Sequence, residues 1–475
     1  MEAPRRRLVV VSNRVPNFME QEAGQGAGAR QAGGLVSALV PALEETGGLW
    51  FGWSGQTTPQ RSRTELRRWT DSSIELCMLD LSVEEVKRYY FGFSNRAIWP
   101  LFHGFPALMV LREEEYRAYR RVNRRFAEAL ISELRPDDDV WVHDYHLLQL
   151  GVELHNLGWE GCMGFFLHIP FPAPEIYATL PWARQFLEAL LSYDLIGFHT
   201  KLYQKNFLET ALLELGGGFD GTYLRTSQGV ARVGVYPIGI EPERFWTWAS
   251  TSEGIQRGIT LRKSVNDRHI VIGVDRLDYT KGIPVRLQAF QRLLERFPSW
   301  RGKVCLVQIS APSRTDVPEY VQQKEQVDRL VGNINGRFSD HDWIPVRYLY
   351  RTFRQEELAA IYRVADVCLV TPLRDGMNLV AKEYIASQTR EPGVLVLSRF
   401  CGAAEELTEA LIVNPYDIDG TARALKEALE MPLRQRRKRW EALYKVVTTS
   451  TSQVWRNRYL TDLHSAHQER ELRAP

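Results

Sequence analysis

Two cations stand five residues apart just after an apolar run, in Asp275-Arg276-Leu277-Asp278-Tyr279-Thr280-Lys281-Gly282. Arginine brings a planar fork and lysine a mobile point charge, a combination suited to a diphosphate. Ion pairs with Asp275 and Asp278 are the plainer use of the same charges. A later run passes through Thr371-Pro372-Leu373-Arg374-Asp375-Gly376-Met377-Asn378-Leu379-Val380 into a helical pattern. The N–H groups of Met377, Asn378, Leu379 and Val380 would open that helix and attract an anion. Glu383, one turn further, suits sugar hydroxyls; a capped surface helix is the alternative. Near the start, Val9-Val10-Val11-Ser12-Asn13-Arg14 is followed by Gly33-Gly34 at the head of an apolar helix pattern. Glycine there lets backbone approach a ligand closely, or simply makes a turn. Finally, Trp141-Val142-His143-Asp144-Tyr145-His146 is matched by Phe165-Phe166-Leu167-His168-Ile169-Pro170. No further ligand at a recognised spacing follows, so no metal is expected. His168, just ahead of two prolines, reads as a polar cleft residue at a strand terminus.

These groups need a scaffold that ends strands at one face. Apolar runs fall at 8–11, 140–143, 164–168, 195–199, 231–237, 269–275, 304–310, 346–349, 367–371, 394–398 and 411–414. Helical patterns at 113–134, 202–215, 285–296, 319–332, 355–364 and 377–387 lie among them. Runs that are apolar throughout belong to sheets covered on both faces, so the pattern predicts doubly wound α/β halves. A boundary is expected near Tyr236-Pro237-Ile238-Gly239, with a polar stretch to Lys263 before the second half begins. From Thr421 on, the pattern is nearly all helix, fraying after about Gln468. Ligands in such folds sit at the carboxyl ends of strands.

Composition narrows the class. The 475 residues carry 60 Lys+Arg and 58 Asp+Glu, a net +2, too balanced for a general nucleic-acid binder. Five scattered cysteines with no C-x-x-C read as buried small side chains in a reducing compartment. The basic start and short apolar run at 8–11 form a strand and not a signal peptide, and no run of about 18 apolar residues occurs. A soluble cytoplasmic protein with no membrane partner is expected. P-loop, zincin and nucleophile-elbow fingerprints are missing. Gly216-Gly217-Gly218-Phe219-Asp220-Gly221 fits G-x-G-x-x-G only on paper, because it follows a helix. Asp417-Ile418-Asp419-Gly420-Thr421 resembles a phosphatase nucleophile motif, but reads as a turn and helix cap with about 55 residues after it.

In combination the segments resemble the trehalose-6-phosphate synthase family of retaining glycosyltransferases with the GT-B fold. The carriers are 10–14, Gly-Gly-Leu-Trp-Phe-Gly-Trp-Ser-Gly at 47–55, Phe-Ser-Asn-Arg-Ala-Ile-Trp-Pro at 93–100, 143–148, 164–172, 275–282 and 374–383. The match runs in order from Arg7 to about Leu463. It implies two Rossmann-like domains facing a central cleft, 1–237 for the acceptor and 238–454 for the nucleotide sugar. A terminal helix, about 455–475, would pack back on the first.

The resemblance implies transfer of glucose from a nucleotide-glucose, UDP-glucose foremost, to glucose 6-phosphate. Arg14, Trp53, Tyr90, Trp99, Asp144 and Arg314 would then bind the acceptor. Gly33, Gly34, His168, Arg276, Lys281, Phe353, Asp375, Gly376, Met377, Asn378, Leu379, Val380 and Glu383 would hold the donor. Arg276, Lys281, Asp144, His168 and Asp375 would carry catalysis. No tightly bound cofactor or metal is implied; the nucleotide-glucose is a co-substrate. A homodimer or homotetramer and a separate trehalose-6-phosphate phosphatase are further expectations. Intact Arg14, Tyr90, Asp144 and Arg314 disfavour a glucosylglycerol-phosphate synthase or a pseudo-glycosyltransferase. Intact Arg276, Lys281, Asp375 and Glu383 disfavour a silent regulatory subunit. Two features depart from the pattern: a long Gly/Ala-rich segment at 15–31, and Phe102-His103-Gly104, which lacks an aromatic after the histidine.

Overall fold

A computed structural model of the chain describes residues 6–16, 34–59, 66–71, 73–314 and 317–471. These form two compact units. The first holds the residues up to Pro16, Leu35–Ile238 and the chain from Gln453 on; the second holds Gly34 and Gly239–Ser452.

The first unit is built on ten strands: β1 (Leu8–Arg14), β2 (Gly48–Thr58), β3 (Arg67–Asp71), β4 (Ile74–Ser82), β5 (Asp139–His143), β6 (Met163–Phe166), β7 (Leu195–Phe198), β8 (Gly218–Phe219), β9 (Tyr223–Thr226) and β10 (Gly229–Val235). Their order is β3-β4-β2-β1-β5-β6-β7-β10-β9-β8. The seven strands from β4 to β10 in that order run parallel, and β3, β9 and β8 add antiparallel edges. Val9, Val10 and Val11 of β1 are fully buried, as an all-apolar run between two helical layers requires. The chain leaves β1 toward β2 and β4, then returns to the other side of β1 with β5. That reversal is a topological switch point, and Arg14 and His143 end the two strands that flank it.

The terminal helix Ser452–Glu471 packs on this unit. The Tyr459 ring stacks on Trp141 at 4.4 Å, and its hydroxyl donates to the carbonyls of Phe165 and Leu195. Tyr236 donates to Asp462 at 2.7 Å. Cys162, Asp194 and His467 meet at the opposite, amino-terminal end of β6 and β7, where the Asp194 carboxylate pairs with His467 and Arg470. All five cysteines are free and buried.

The second unit has six parallel strands: β11 (His269–Arg276), β12 (Val304–Ala311), β13 (Val346–Leu349), β14 (Val367–Val370), β15 (Val394–Ser398) and β16 (Leu411–Val413). Their order is β13-β12-β11-β14-β15-β16, so the switch point lies between β11 and β14. Val271, Leu306, Val367 and Val396 of the sheet pack with Leu287, Phe290 and Leu293 of the helix Ile283–Arg296 and Leu425 of the helix Ile418–Glu430.

Several expectations shift. The polar stretch to Lys263 is two helices, Pro242–Ser250 and Ser252–Ser264, opened by Pro242 and by the Thr251 side chain accepting from the N–H of Gly254. Charged surface residues hid their period. The terminal helix continues through Glu471 instead of fraying after Gln468. Asp417 caps its helix by accepting from the N–H of Gly420 at 2.7 Å, as a turn-and-cap reading requires. The segment 15–31 and Gly33 lie outside the described residues, apart from Val15 and Pro16.

Candidate active site

In the second unit the cationic loop leaves β11 at Arg276, whose side chain is exposed. Gly282 closes the loop with φ +64°, and a Cβ there would collide with the Thr371 carbonyl. Only glycine lets this loop lie against the end of β14. The main chain ties them further, since the N–H of Leu373 donates to the Thr280 carbonyl at 2.7 Å. Lys281 Nζ consequently lies 2.6 Å from Asp375 Oδ2, with each side chain 12% exposed. Asn378 donates to the same oxygen at 3.1 Å. The helix Leu379–Ser387 opens two residues later than the sequence predicts. Asn378, at φ 77°, caps it by accepting from the N–H of Ala381. Gly376 and Met377 are buried beneath that turn, and Leu379 and Val380 are half-buried.

The loop is held from behind by a fully buried Arg286. It donates to Thr371 Oγ1 and Gln308 Oε1, both at 3.0 Å, and pairs with Asp275. Burial lifts the Asp275 carboxyl above its ordinary range, against the pull of Arg286. Asp278 is also fully buried, but it behaves oppositely. Burial opposes its charge, yet Arg314, Arg276 and Lys281 outweigh that and hold it down at about 2. Arg314 Nη1 donates to Asp278 Oδ2 at 3.2 Å, Tyr320 donates to the same oxygen at 2.9 Å, and Arg314 also meets the Tyr320 hydroxyl. Glu383 is lifted to about 7 by burial, partly offset by the Tyr362 hydroxyl 3.3 Å away. Phe353, in the loop after β13, lies under the Arg351 guanidinium at 4.4 Å.

In the first unit Arg14 ends β1 with its guanidinium beside Gly55 and 5.9 Å from the Trp53 ring. A continuous aromatic row follows. Ring centroids are 5.9 Å apart for Trp53–Tyr90, 5.7 Å for the stacked Tyr90–His146, 3.9 Å for His146–Tyr145 and 5.5 Å for Tyr145–Trp99. Tyr90 rides on a wide-turned π-helix, Val86–Ile98, that runs into Trp99. Such turns gather at functional sites. Asp144 follows β5 at φ 75°, and its Oδ1 accepts from the His168 N–H at 3.2 Å. The His168 ring is 3.0 Å from His143 (Nε2 to Nδ1) and 5.3 Å from the His199 ring by centroids. Burial drives His168 and His143 well below the ordinary histidine range.

Five described non-glycine residues have positive φ, and three of them are Asp144, Arg314 and Asn378. Strain of this kind concentrates where function over-determines the backbone.

The glycosyltransferase family 20 model matches residues 6–465. The chain belongs to glycosyltransferase family 20. It is 43% identical over 464 residues to trehalose-6-phosphate synthase of Sinorhizobium fredii, covering 96% of this chain and 98% of that one. It is 41% identical over 476 residues to a bifunctional trehalose-6-phosphate synthase/phosphatase of Thermoproteus tenax, covering 98% of this chain and 64% of the relative. A crystal structure of an α,α-trehalose-phosphate synthase (UDP-forming) from Burkholderia xenovorans in complex with glucose 6-phosphate superimposes with TM-score 0.91 at 41% identity, covering 96% of this chain and all of that one. The Escherichia coli enzyme bound with UDP-2-fluoro glucose gives TM-score 0.90 at 40% identity, covering 96% and 98%. This family 20 glycosyltransferase therefore has the GT-B fold.

The structure gathers Lys281, Asp375 and Asn378 in one cluster, with Arg276 on the same loop. It gathers Arg14, Trp53, Tyr90 and Trp99 in another row, and Asp144 with His168 in a third group. Arg314 belongs to the second unit, joined to Asp278. Phe353 meets Arg351 after β13, and Glu383 sits in the helix Leu379–Ser387 beside Tyr362. Gly34 clusters with the second unit, where an added Cβ would come 2.5 Å from Leu379 Cδ1. Sequence reasoning placed Asp275 and Asp278 beside the cations but missed Arg286 and Tyr320, which hold them, and it gave no role to His143, Tyr145 or His146. Only the His143–His146 segment carried a readable signal, its crowding of polar rings at a strand end.

Proposed function

We propose that this glycosyltransferase is a trehalose-6-phosphate synthase. It transfers glucose from UDP-glucose to glucose 6-phosphate and releases α,α-trehalose 6-phosphate and UDP. The observation that carries this reading is chemical: each switch point presents groups fitted to a phosphorylated ligand. At β11 and β14 these are Arg276, Lys281 and the helix opening at Leu379. At β1 and β5 they are Arg14, an aromatic row and Asp144. The relatives' names and their glucose 6-phosphate and UDP-2-fluoro glucose ligands support the choice of substrates.

In the proposed reaction the bond from the anomeric carbon to the UDP oxygen breaks. The 1-hydroxyl oxygen of glucose 6-phosphate bonds to the same face, so configuration is retained. The acceptor proton passes to the departing phosphate oxygen, and no enzymatic nucleophile is required. Negative charge grows on the diphosphate as the bond breaks, and Arg276 and Lys281 compensate it. In the absence of donor, Asp375 holds the Lys281 ammonium in place. The Asp375 pairing also fixes the loop that carries Gly376, Met377 and Asn378 toward the donor. Glu383 takes donor hydroxyls, Phe353 offers its backbone to the base, and Gly33 and Gly34 admit the donor's phosphates. Arg14 and Arg314 bind the acceptor phosphate, Asp144 an acceptor hydroxyl, and Trp53, Tyr90 and Trp99 its ring. His168 reaches the donor glucose.

We further propose the division of labour 1–237 for acceptor and 238–454 for donor, with no tightly bound cofactor. The chain acts in the cytoplasm as a homo-oligomer and leaves dephosphorylation to a separate phosphatase. The test is product identification. Purified protein with UDP-glucose and glucose 6-phosphate should yield α,α-trehalose 6-phosphate and UDP in equal amounts. A different disaccharide, or hydrolysis of UDP-glucose alone, would overturn the reading.

A further inference from the structure

His143 ends β5 fully buried, and its Nδ1 lies 3.0 Å from Nε2 of His168. Both rings are driven toward the neutral form by burial. Two neutral rings at this distance share one hydrogen, so one nitrogen donates and the other accepts. The far nitrogen decides which. His143 Nε2 is buried and has no hydrogen-bond partner among the described residues. Beside it stand Trp141, with ring centroids 4.6 Å apart, and Trp455, at 6.4 Å. The Nε1–H groups of both indoles are themselves buried donors with no acceptor among the described residues. A hydrogen on His143 Nε2 would add a third unmatched donor to this apolar nest, whereas a bare lone pair adds none. Buried donors without partners are the rarer and costlier case.

We infer that His143 is a positioning residue that sets the tautomer of His168. Its hydrogen sits on Nδ1 and is donated to His168 Nε2. His168 must then carry its own hydrogen on Nδ1, the reverse of what a free histidine side chain prefers in water. The ring orientation is fixed by the His168 backbone N–H on Asp144 Oδ1 and by rings of Phe166 at 4.7 Å and His199 at 5.3 Å. Resting on the proposal that His168 reaches the donor glucose, this makes His168 a neutral N–H donor. The sugar hydroxyl it meets must accept, and points its own hydrogen elsewhere. A ligand with an ether or fluorine at that position would keep an acceptor, however weak, whereas a deoxy sugar would not.

The test begins with the full-length, ligand-free wild type carrying 15N-labelled histidine. Long-range 1H–15N spectra distinguish the two tautomers and the charged ring, and H168Q and H143N identify the two residues among the ten histidines. The expected result at pH 7 is two neutral rings, each with its hydrogen on Nδ1. A hydrogen on His168 Nε2, or a charged ring, overturns the inference. Kinetics supply the second arm. H143N keeps an N–H donor where Nδ1 was; H143L keeps bulk and removes it. H143L should lower kcat/KM for UDP-glucose by about tenfold to a hundredfold, the range expected for one mispaired donor. H143N should recover at least about half of that loss on a logarithmic scale. Equal losses in the two variants would mean that His143 only fills space, and would refute the inference. Wild type with the expected spectrum but no glucosyl transfer would sink the proposed function and leave the tautomer standing. Active wild type with hydrogen on His168 Nε2 would do the reverse.

Discussion

Asp278→Asn separates the electrostatics of the second unit from its packing, because the substitution is nearly isosteric. The carboxylate is fully buried and held at about 2. Against an ordinary value near 4, a depression of nearly two units amounts to about 2 kcal/mol. The folded value lies below the unfolded one. The stabilisation is therefore complete above about pH 4 and is lost as pH falls through 2. The amide forfeits it and leaves Arg314 Nη1 and the Tyr320 hydroxyl facing a neutral partner. For a unit of this size, about 2 kcal/mol lowers the melting temperature by about 4–8 °C. Calorimetry should show that fall between pH 6 and 8, with the gap to wild type narrowing below pH 4. Steady-state kinetics should show KM for glucose 6-phosphate rising on the order of tenfold as Arg314 loses its anchor, and KM for UDP-glucose moving less. Wild-type melting at pH 7, or an unchanged acceptor KM, would refute the reasoning.

Lys281→Ala should lower kcat by about a hundredfold or more with the fold intact by circular dichroism, because it removes charge compensation in the transition state; near-normal kcat/KM would contradict the role. Gly55→Ala places a Cβ 2.5 Å from the Arg14 guanidinium at φ +88°. It should raise KM for glucose 6-phosphate by about fivefold or more and leave KM for UDP-glucose alone. Glu383→Gln should stabilise the protein while weakening the donor. Burial lifts Glu383 to about 7, above its unfolded value, so the charged form costs about 3 kcal/mol above pH 7 and nothing below about pH 4. The variant should melt higher than wild type at pH 8 and equally at pH 4, with a larger KM for UDP-glucose at pH 8. A lower melting temperature at pH 8 would count against the burial argument.

The parallel strands were legible because a strand covered on both faces has no polar side: the runs at 8–11, 346–349 and 394–398 fall on β1, β13 and β15. β2 escaped because three glycines and a polar end break its run, and β4 because Glu75 and Asp80 interrupt its apolar residues. The π-helix at Val86–Ile98 has no sequence period of its own that separates it from an α-helix. Candidate ligand-binding residues were readable as short motifs at strand ends. Their supports were not, since Tyr320 reaches Asp278 across 42 positions and His168 reaches His143 across 25. Nothing local marks such pairs; folding alone brings them together. Arg286 falls inside the helical pattern at 285–296 with nothing to single it out, yet it is fully buried beneath the cationic loop.

The most direct measurement is a crystal structure of this chain with UDP-2-fluoroglucose. Its two phosphates should lie within hydrogen-bond distance of Arg276 and Lys281, with Lys281 Nζ drawn from Asp375 toward the donor. Phosphates bound elsewhere, with the Lys281–Asp375 pair undisturbed, would contradict the account.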